Sequence, residues 1–321
     1  MKYVVALLAA VMLGTSCPLA GAQEWPNRII RIVSPFAPGG GSDTLARAVG
    51  DRLSERLQQQ VIVENRAGAG GLIGSASVAT SPPDGYTYLL SSIGTHVIAP
   101  ITSANPGYDP VRDFSHVALA GGPPIVLVVN PSLGTRTFAD LLKLLKSRTA
   151  ELPYMSPGPG TLGNLIAEYW AEKENLKITH IAYKGAGQAM NDLIAGHVTM
   201  GAITWTAAIG QIRGGTVIPL AVSSSNRMPE FPNLPTFKEL GYPELAITTW
   251  FGFAAPAGVP RPIIERMNQG INASLDMPAV RKHLEDQGFE IEKMSPAELT
   301  AFIENQLTRW TPLARRLMKQ K

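Results

Sequence analysis

A single cysteine, Cys17, is all the thiol the sequence contains, and it falls within the first apolar segment. Disulfide stapling, cysteine nucleophiles and thiolate metal sites are therefore excluded from the body of the chain. Charge is also sparse. Only 17% of residues are Asp, Glu, Lys or Arg, with a formal net charge of +3 over 321 residues, a balance that does not suit nucleic-acid binding. No apolar run after the first is long enough to cross a bilayer, which takes about 20 residues. The five histidines, His96, His116, His180, His197 and His283, show neither H-x-H nor H-E-x-x-H spacing, so zinc is not expected. Neither a G-x-S-x-G nucleophile elbow nor a D-x-D-x-D-G calcium loop occurs. No cofactor is expected.

The first segment reads as a secretory leader. Lys2 supplies the positive start, "VVALLAAVML" the apolar stretch, and Ala20-Gly21-Ala22 the small-residue cleavage site. Cleavage after Ala22 removes 22 of the 321 residues and leaves 299 beginning at Gln23. Lipid attachment at Cys17, four residues after Leu13, is a second reading whose spacing is off by one. The expected product is exported, periplasmic, soluble and monomeric.

Beyond the leader, strand-like and helix-like runs alternate. "RIIRIVS" precedes a helix with Leu45, Val49, Leu53 and Leu57 on one stripe. The later runs "PIVLVVN", "LPYMS", "KITHIAY" and "VIPLAVS" read as strands between helices. Ser295-Pro296-Ala297-Glu298 reads as a capping box opening the last helix. This alternation predicts α/β lobes with mostly parallel sheets. Two proline-flanked extended runs, "GGPPIVLVVNP" and "TTWFGFAAPAGVP", are candidate crossings between two lobes. They divide the chain into residues 23–124 and 248–321 for one lobe and 125–247 for the other, with a hinged cleft between.

Glycine-rich loops carry the functional signal. "SPFAPGGGSD" follows a strand and opens a helix, and Gly39, Gly40 and Gly41 leave its backbone N–H groups bare. Ser42 or Asp43 is the expected N-cap. Such a loop suits a carboxylate or phosphate held by main-chain donors at a helix start. "YMSPGPGTLGN" has the same form, with Ser156, Thr161 and Asn164 as side-chain partners. Its Gly158-x-Gly160-x-x-Gly163 spelling matches a dinucleotide fingerprint. Pro157 and Pro159 remove backbone donors, and the following strand ends in Tyr183-Lys184 where a ribose-binding acid belongs, so that reading is rejected. If the two loops lie in different lobes, they face each other across the cleft. "RAGAGGLIG" is read as a close-packed turn and helix start. "SSIGTH" offers Ser92 and Thr95 as hydroxyls at the rim, and Trp250 either walls the cleft or packs in the hinge.

The ordered set "WPNRIIRIVSPFAPGGGSDTLAR", "VIVENRAGAGGLIG", "PDGYTYLL", "YDPVRDF", "VLVVNPS", "YMSPGPGT", "AYKGAGQAMNDLIAGHV", "LPTFKELGY" and "WFGFAAPAGVP" resembles the Bug-type receptors, the exported solute-binding subunits of tripartite tricarboxylate transporters. The resemblance spans essentially the whole chain after the leader. It implies a type II periplasmic-binding-protein fold whose lobes close on a small organic carboxylate. The carboxylate would be held by main-chain N–H groups and bridging waters and delivered to a permease of two further membrane subunits. It points to Phe36, Ala37, Gly40, Ser42 and Asp43 in one lobe, and to Ser156, Thr161 and Asn164 in the other. One stretch departs from the pattern: Ile203-Thr204-Trp205 stands where many relatives place an acid near the cleft. An acid there suits an amino-acid ligand's ammonium group. Thr204 instead implies a carboxylate with a less polar or hydroxylated body. An exported sensor, and an exported hydrolase or isomerase using Lys184, Asp43 or a histidine, are the competing readings. Turnover separates the last from a receptor.

Overall fold

A computed structural model describes residues 25–318. The leader, Cys17 and the cleavage point after Ala22 lie outside the described residues.

The first sheet is assembled from β1 (Ile30–Ser34), β2 (Val61–Asn65), β3 (Thr87–Ser92), β4 (Phe114–Gly121) and the distant β10 (Phe251–Pro256), in the order β2-β1-β3-β10-β4. The second holds β5 (Ile125–Val129), β6 (Leu152–Ser156), β7 (Ile178–Ala182), β8 (Met200–Thr204) and β9 (Ile218–Val222), in the order β7-β6-β8-β5-β9. Both sheets are mixed. β1 pairs in parallel with β2 and β3, and β6 with β7 and β8. β10 and β5 run antiparallel to both of their neighbours. Four of the five strands in each sheet therefore run the same way, as the mostly parallel expectation has it, and the exceptions are the strands by which the chain enters each sheet from the other lobe. Pro124 bridges to Thr248, and the Thr249 N–H donates to the Pro123 carbonyl at 3.0 Å, so the two crossings are bonded to each other.

Core formation follows residue periodicity. In β5, Ile125, Leu127 and Val129 join one apolar cluster and Val126 and Val128 another, so the strand is buried on both faces. Helix α1 (Gly41–Leu57) buries the expected stripe Leu45, Val49, Leu53 and Leu57 against Ile30, Ile32 and Phe253. It ends where Gln58 turns left-handed at φ 53°.

Helix α2 (Leu72–Ala79) follows β2. Helices α3 (Phe138–Ser147), α4 (Leu162–Glu174), α5 (Ala186–Ile194) and α6 (Trp205–Arg213) cover the second sheet, and α7 (Arg261–Asp276) and α8 (Pro278–Asp286) return to the first. The last helix, α9 (Pro296–Met318), opens on the expected capping box. The Glu298 carboxylate accepts the Ser295 N–H at 2.8 Å, and Ser295 Oγ accepts the Glu298 N–H at 3.3 Å. This helix serves both lobes. Leu299, Ile303 and Trp310 share a cluster with Leu119 of the first sheet and with Phe138 and Trp170 on the second, and Arg316 pairs with Glu172 of α4 at 3.2 Å. No helix among the described residues is long and apolar enough to cross a membrane.

Candidate functional site

The glycine loop after β1 enters α1 without a side-chain cap. Gly40 is the N-cap, with φ −104° and ψ 177°, and no side chain bonds to the first-turn N–H groups. The expected Ser42 or Asp43 cap is therefore corrected: both residues already lie inside the helix. The Asp43 carboxylate turns back instead. It accepts from Arg47 Nε at 3.1 Å, Asn65 Nδ2 at 3.0 Å and the Gly39 N–H at 3.4 Å, and Asn65 Nδ2 also donates to the Phe36 carbonyl at 3.0 Å. Burial pushes the Asp43 carboxyl up, but these hydrogen bonds and the Arg47 charge outweigh it and hold it below the ordinary carboxylate value.

The second loop is shaped by its own polar side chains. Ser156 Oγ lies 2.7 Å from His180 Nε2 and accepts the Gly158 N–H at 3.2 Å. Asn164 Oδ1 accepts the Gly160 N–H at 3.2 Å, and its Nδ2 donates to the Tyr154 hydroxyl at 2.8 Å. Tyr154 donates in turn to Glu168 at 2.6 Å. Thr161 caps α4 through the Asn164 N–H, which leaves the Leu162 and Gly163 N–H groups without that cap.

Between the loops lies a partly open cavity of about 50 Å³, room for a few waters by a comparable measure. Phe36, Gly40, Gly41, Ser42, Ser92, Thr161 and Thr204 reach its wall, as do Ile93, Gly94, Ile125, Pro157, Leu162, Gly163, Ala186, Thr249 and Phe251. No ionisable side chain is among these residues. Four helices, α1, α4, α5 and α6, begin at this wall, and a π-helical turn starts at Gly94. First-turn N–H groups have no partner within their own helix, and α1, α5 and α6 have no side-chain cap. These helix starts turn the positive ends of their dipoles toward the cavity, although the Trp205 N–H of α6 already donates to the Pro124 carbonyl at 2.8 Å.

Ala37, Asp43, Thr95, Ser156, Asn164 and Trp250 do not reach this wall. Asp43, Ser156 and Asn164 fix the loops from behind. Ala37 joins the lobes: its N–H donates to the Lys184 carbonyl at 3.1 Å. Thr95 Oγ1 accepts the Ser92 N–H at 3.0 Å and lies 3.2 Å from Nδ1 of the fully buried His96. Burial, with the neighbouring His116 second, pushes the His96 imidazole well below its ordinary value and keeps it neutral. Trp250 packs edge-on against Phe302, 5.5 Å between ring centres. Thr249 and Phe251, on either side of it, face the cavity in its place.

Sequence reasoning missed Thr249 and Phe251, and the signal for them lay in the strand itself, where successive residues point to opposite faces. The close-packed turn and helix start expected of "RAGAGGLIG" are present, but the partner it packs against was not foreseen. Gly70 in fact meets the other lobe, since a Cβ there would lie 1.9 Å from the Pro159 carbonyl oxygen.

Two α/β lobes, joined by paired crossings around a cavity where several helices begin, define a two-lobed binding protein of the periplasmic-binding-protein kind. The chain matches the family model described as tripartite tricarboxylate transporter family receptor over residues 45–318. It is 36% identical over 304 residues to Protein BugT of Bordetella pertussis, covering 94% of this chain and 93% of that one. Among solved structures, it resembles an R. palustris protein with adipate at 33% identity and a TM-score of 0.87, covering 92% of this chain and 98% of that one. It also resembles MatC from Rhodopseudomonas palustris with bound malate, at 28% identity and a TM-score of 0.85, covering 90% and 100%. The chain belongs to the tripartite tricarboxylate transporter receptor family.

Proposed function

We propose that this protein is an exported receptor that captures a small organic carboxylate between its lobes and presents it, chemically unchanged, to the membrane permease subunits of a tripartite transporter. The observation that carries the reading is the start of four helices at an interlobe cavity whose lining holds no ionisable side chain. Charge-assisted hydrogen bonds contribute roughly 1.5–3 kcal/mol each, and micromolar affinity corresponds to about −8.2 kcal/mol. A few N–H groups on one carboxylate, with closure, reach that range without an ion-pair partner. The adipate and malate named with the two similar structures are ligands of this chemistry. An α-amino acid is disfavoured, because its ammonium group would face helix N-termini with no acid on the wall.

Thermal unfolding against mono-, di- and tricarboxylates and amino acids tests the reading. Ligand at a hundred times its dissociation constant adds about 2.7 kcal/mol, which raises the midpoint by several degrees. A response to carboxylates, recovered unaltered after incubation, is expected. Conversion of the responding acid, or a response only to amino acids, would overturn the proposal.

A further inference from the structure

Two threonines that line the cavity, Thr204 and Thr249, have buried Oγ1 atoms with no hydrogen-bond partner. Their residues are only 9% and 6% exposed. Several other buried polar atoms also lack partners, but among the described residues these two are the ones that belong to cavity-lining residues. They come from separate segments. Thr204 ends β8, and Thr249 lies in the return crossing just ahead of β10. The outward crossing brings them together, because Ile125 lies opposite Thr204 in the ladder while Pro124 bridges to Thr248. Both hydroxyls therefore border the hinge side of the cavity.

An unpartnered buried hydroxyl is costly, so a polar group is needed to satisfy it. The surrounding wall limits what that group is. Phe36, Ile125 and Phe251 present carbon. With no acid on the wall, an ammonium group would have no counter-charge. A threonine hydroxyl supplies one donor and two acceptor positions, which suits a neutral oxygen.

We propose that Thr204 and Thr249 form a subsite that reads a hydroxyl or keto oxygen on the body of the bound carboxylate, so that the receptor selects oxygen-substituted acids over their unsubstituted analogues. The inference rests on the carboxylate-receptor reading above.

Calorimetric titration with two matched pairs, malate against succinate and lactate against propionate, provides the test. The expected result is that the hydroxy member of at least one pair binds about tenfold tighter, the yield of one to two hydrogen bonds. Thr249→Val and Thr204→Val keep the side-chain shape and should each cut that preference to about threefold or less. Their effect on the unsubstituted acid should be small, and Thr249→Ser should retain the preference. Melting of the free Val variants at or above the parent temperature would accompany this, since each removes an unsatisfied hydroxyl. Equal affinity within both pairs overturns the proposal, as does a preference unchanged in both Val variants, or an equal loss for both members of a pair. Failure of all four acids to bind also overturns the subsite. The carboxylate panel then decides separately whether the receptor reading falls with it.

Discussion

The Ala37 N–H donates to the Lys184 carbonyl across the cleft, a 3.1 Å main-chain hydrogen bond between two lobes whose sheets share no strand. It forms because Gly185, next in the chain, has no side chain. A Cβ there would lie 2.7 Å from both the nitrogen and the Cβ of Ala37. Gly185→Ala therefore wedges the lobes apart. Overpacking of this kind costs about 1–3 kcal/mol, which lowers ligand affinity roughly 5- to 150-fold. Calorimetry reads the loss, and small-angle scattering should show a larger radius of gyration. An unchanged affinity would mean that the lobes do not close at this contact in solution.

Gly40→Val should act more gently. The residue sits at φ −104°, which any residue adopts, and its added Cβ would be 3.3 Å from the Ala186 Cβ. The expected effect is a severalfold weaker affinity, with little change in the melting temperature of the free protein. A large drop in melting temperature would place the damage in the loop's own conformation.

Asp43 supplies a pH signature of stability. Its folded pKa lies below the ordinary 3.8. The stabilisation is thus fully present above that value and fades as pH falls through the lower folded one. Asp43→Asn, which loses the pairing with the largely exposed Arg47, should destabilise by about 0.5–1.5 kcal/mol at neutral pH. The gap between parent and variant should stay constant from pH 7 to about 5 and close only below about 4. A gap that closes near pH 6 would assign the effect to another group.

Affinity itself should barely respond to pH or salt. No titratable side chain lines the cavity, and the nearby His96 is already neutral. Buried partners are screened far less than surface charges. The dissociation constant should change less than about threefold from pH 6 to 8 and from 0.05 to 0.5 M salt. A steep salt dependence in titrations would point to a lysine or arginine in the ligand's path.

Trp310→Ala tests the last helix. Trp310 is 4% exposed and packs in a cluster with residues of both lobes. Removing a buried tryptophan costs about 3–5 kcal/mol, and denaturant unfolding should report a loss of that size. A loss below about 1 kcal/mol would show that α9 is held by its N-terminal half alone.

Much of this molecule was legible because local chemistry and fold agreed. The stripe of Leu45, Val49, Leu53 and Leu57, the Ser295–Glu298 box and the bare glycines of the first loop each state their structure within a few residues. Tertiary partners were not legible. Asp43 looked like a cap, since nothing nearby reveals that Asn65, 22 residues on, would hold its carboxylate. Trp250 was read as either walling the cleft or packing in the hinge, and because a strand alternates faces its neighbours Thr249 and Phe251 reached the cavity while Trp250 met Phe302. Gly70 gave no sign of Pro159, because that approach exists only once two lobes have folded and met.

The helix shared by both lobes also has a consequence for assembly. Residues 296–318 follow everything they hold together, so a growing chain completes both sheets before their common clasp exists. Until then Leu119, Phe138 and Trp170 lack neighbours that α9 supplies. A chain synthesised only as far as residue 295 would therefore carry sticky apolar ground on both halves at once, the condition under which unfinished proteins associate with one another and chaperones engage.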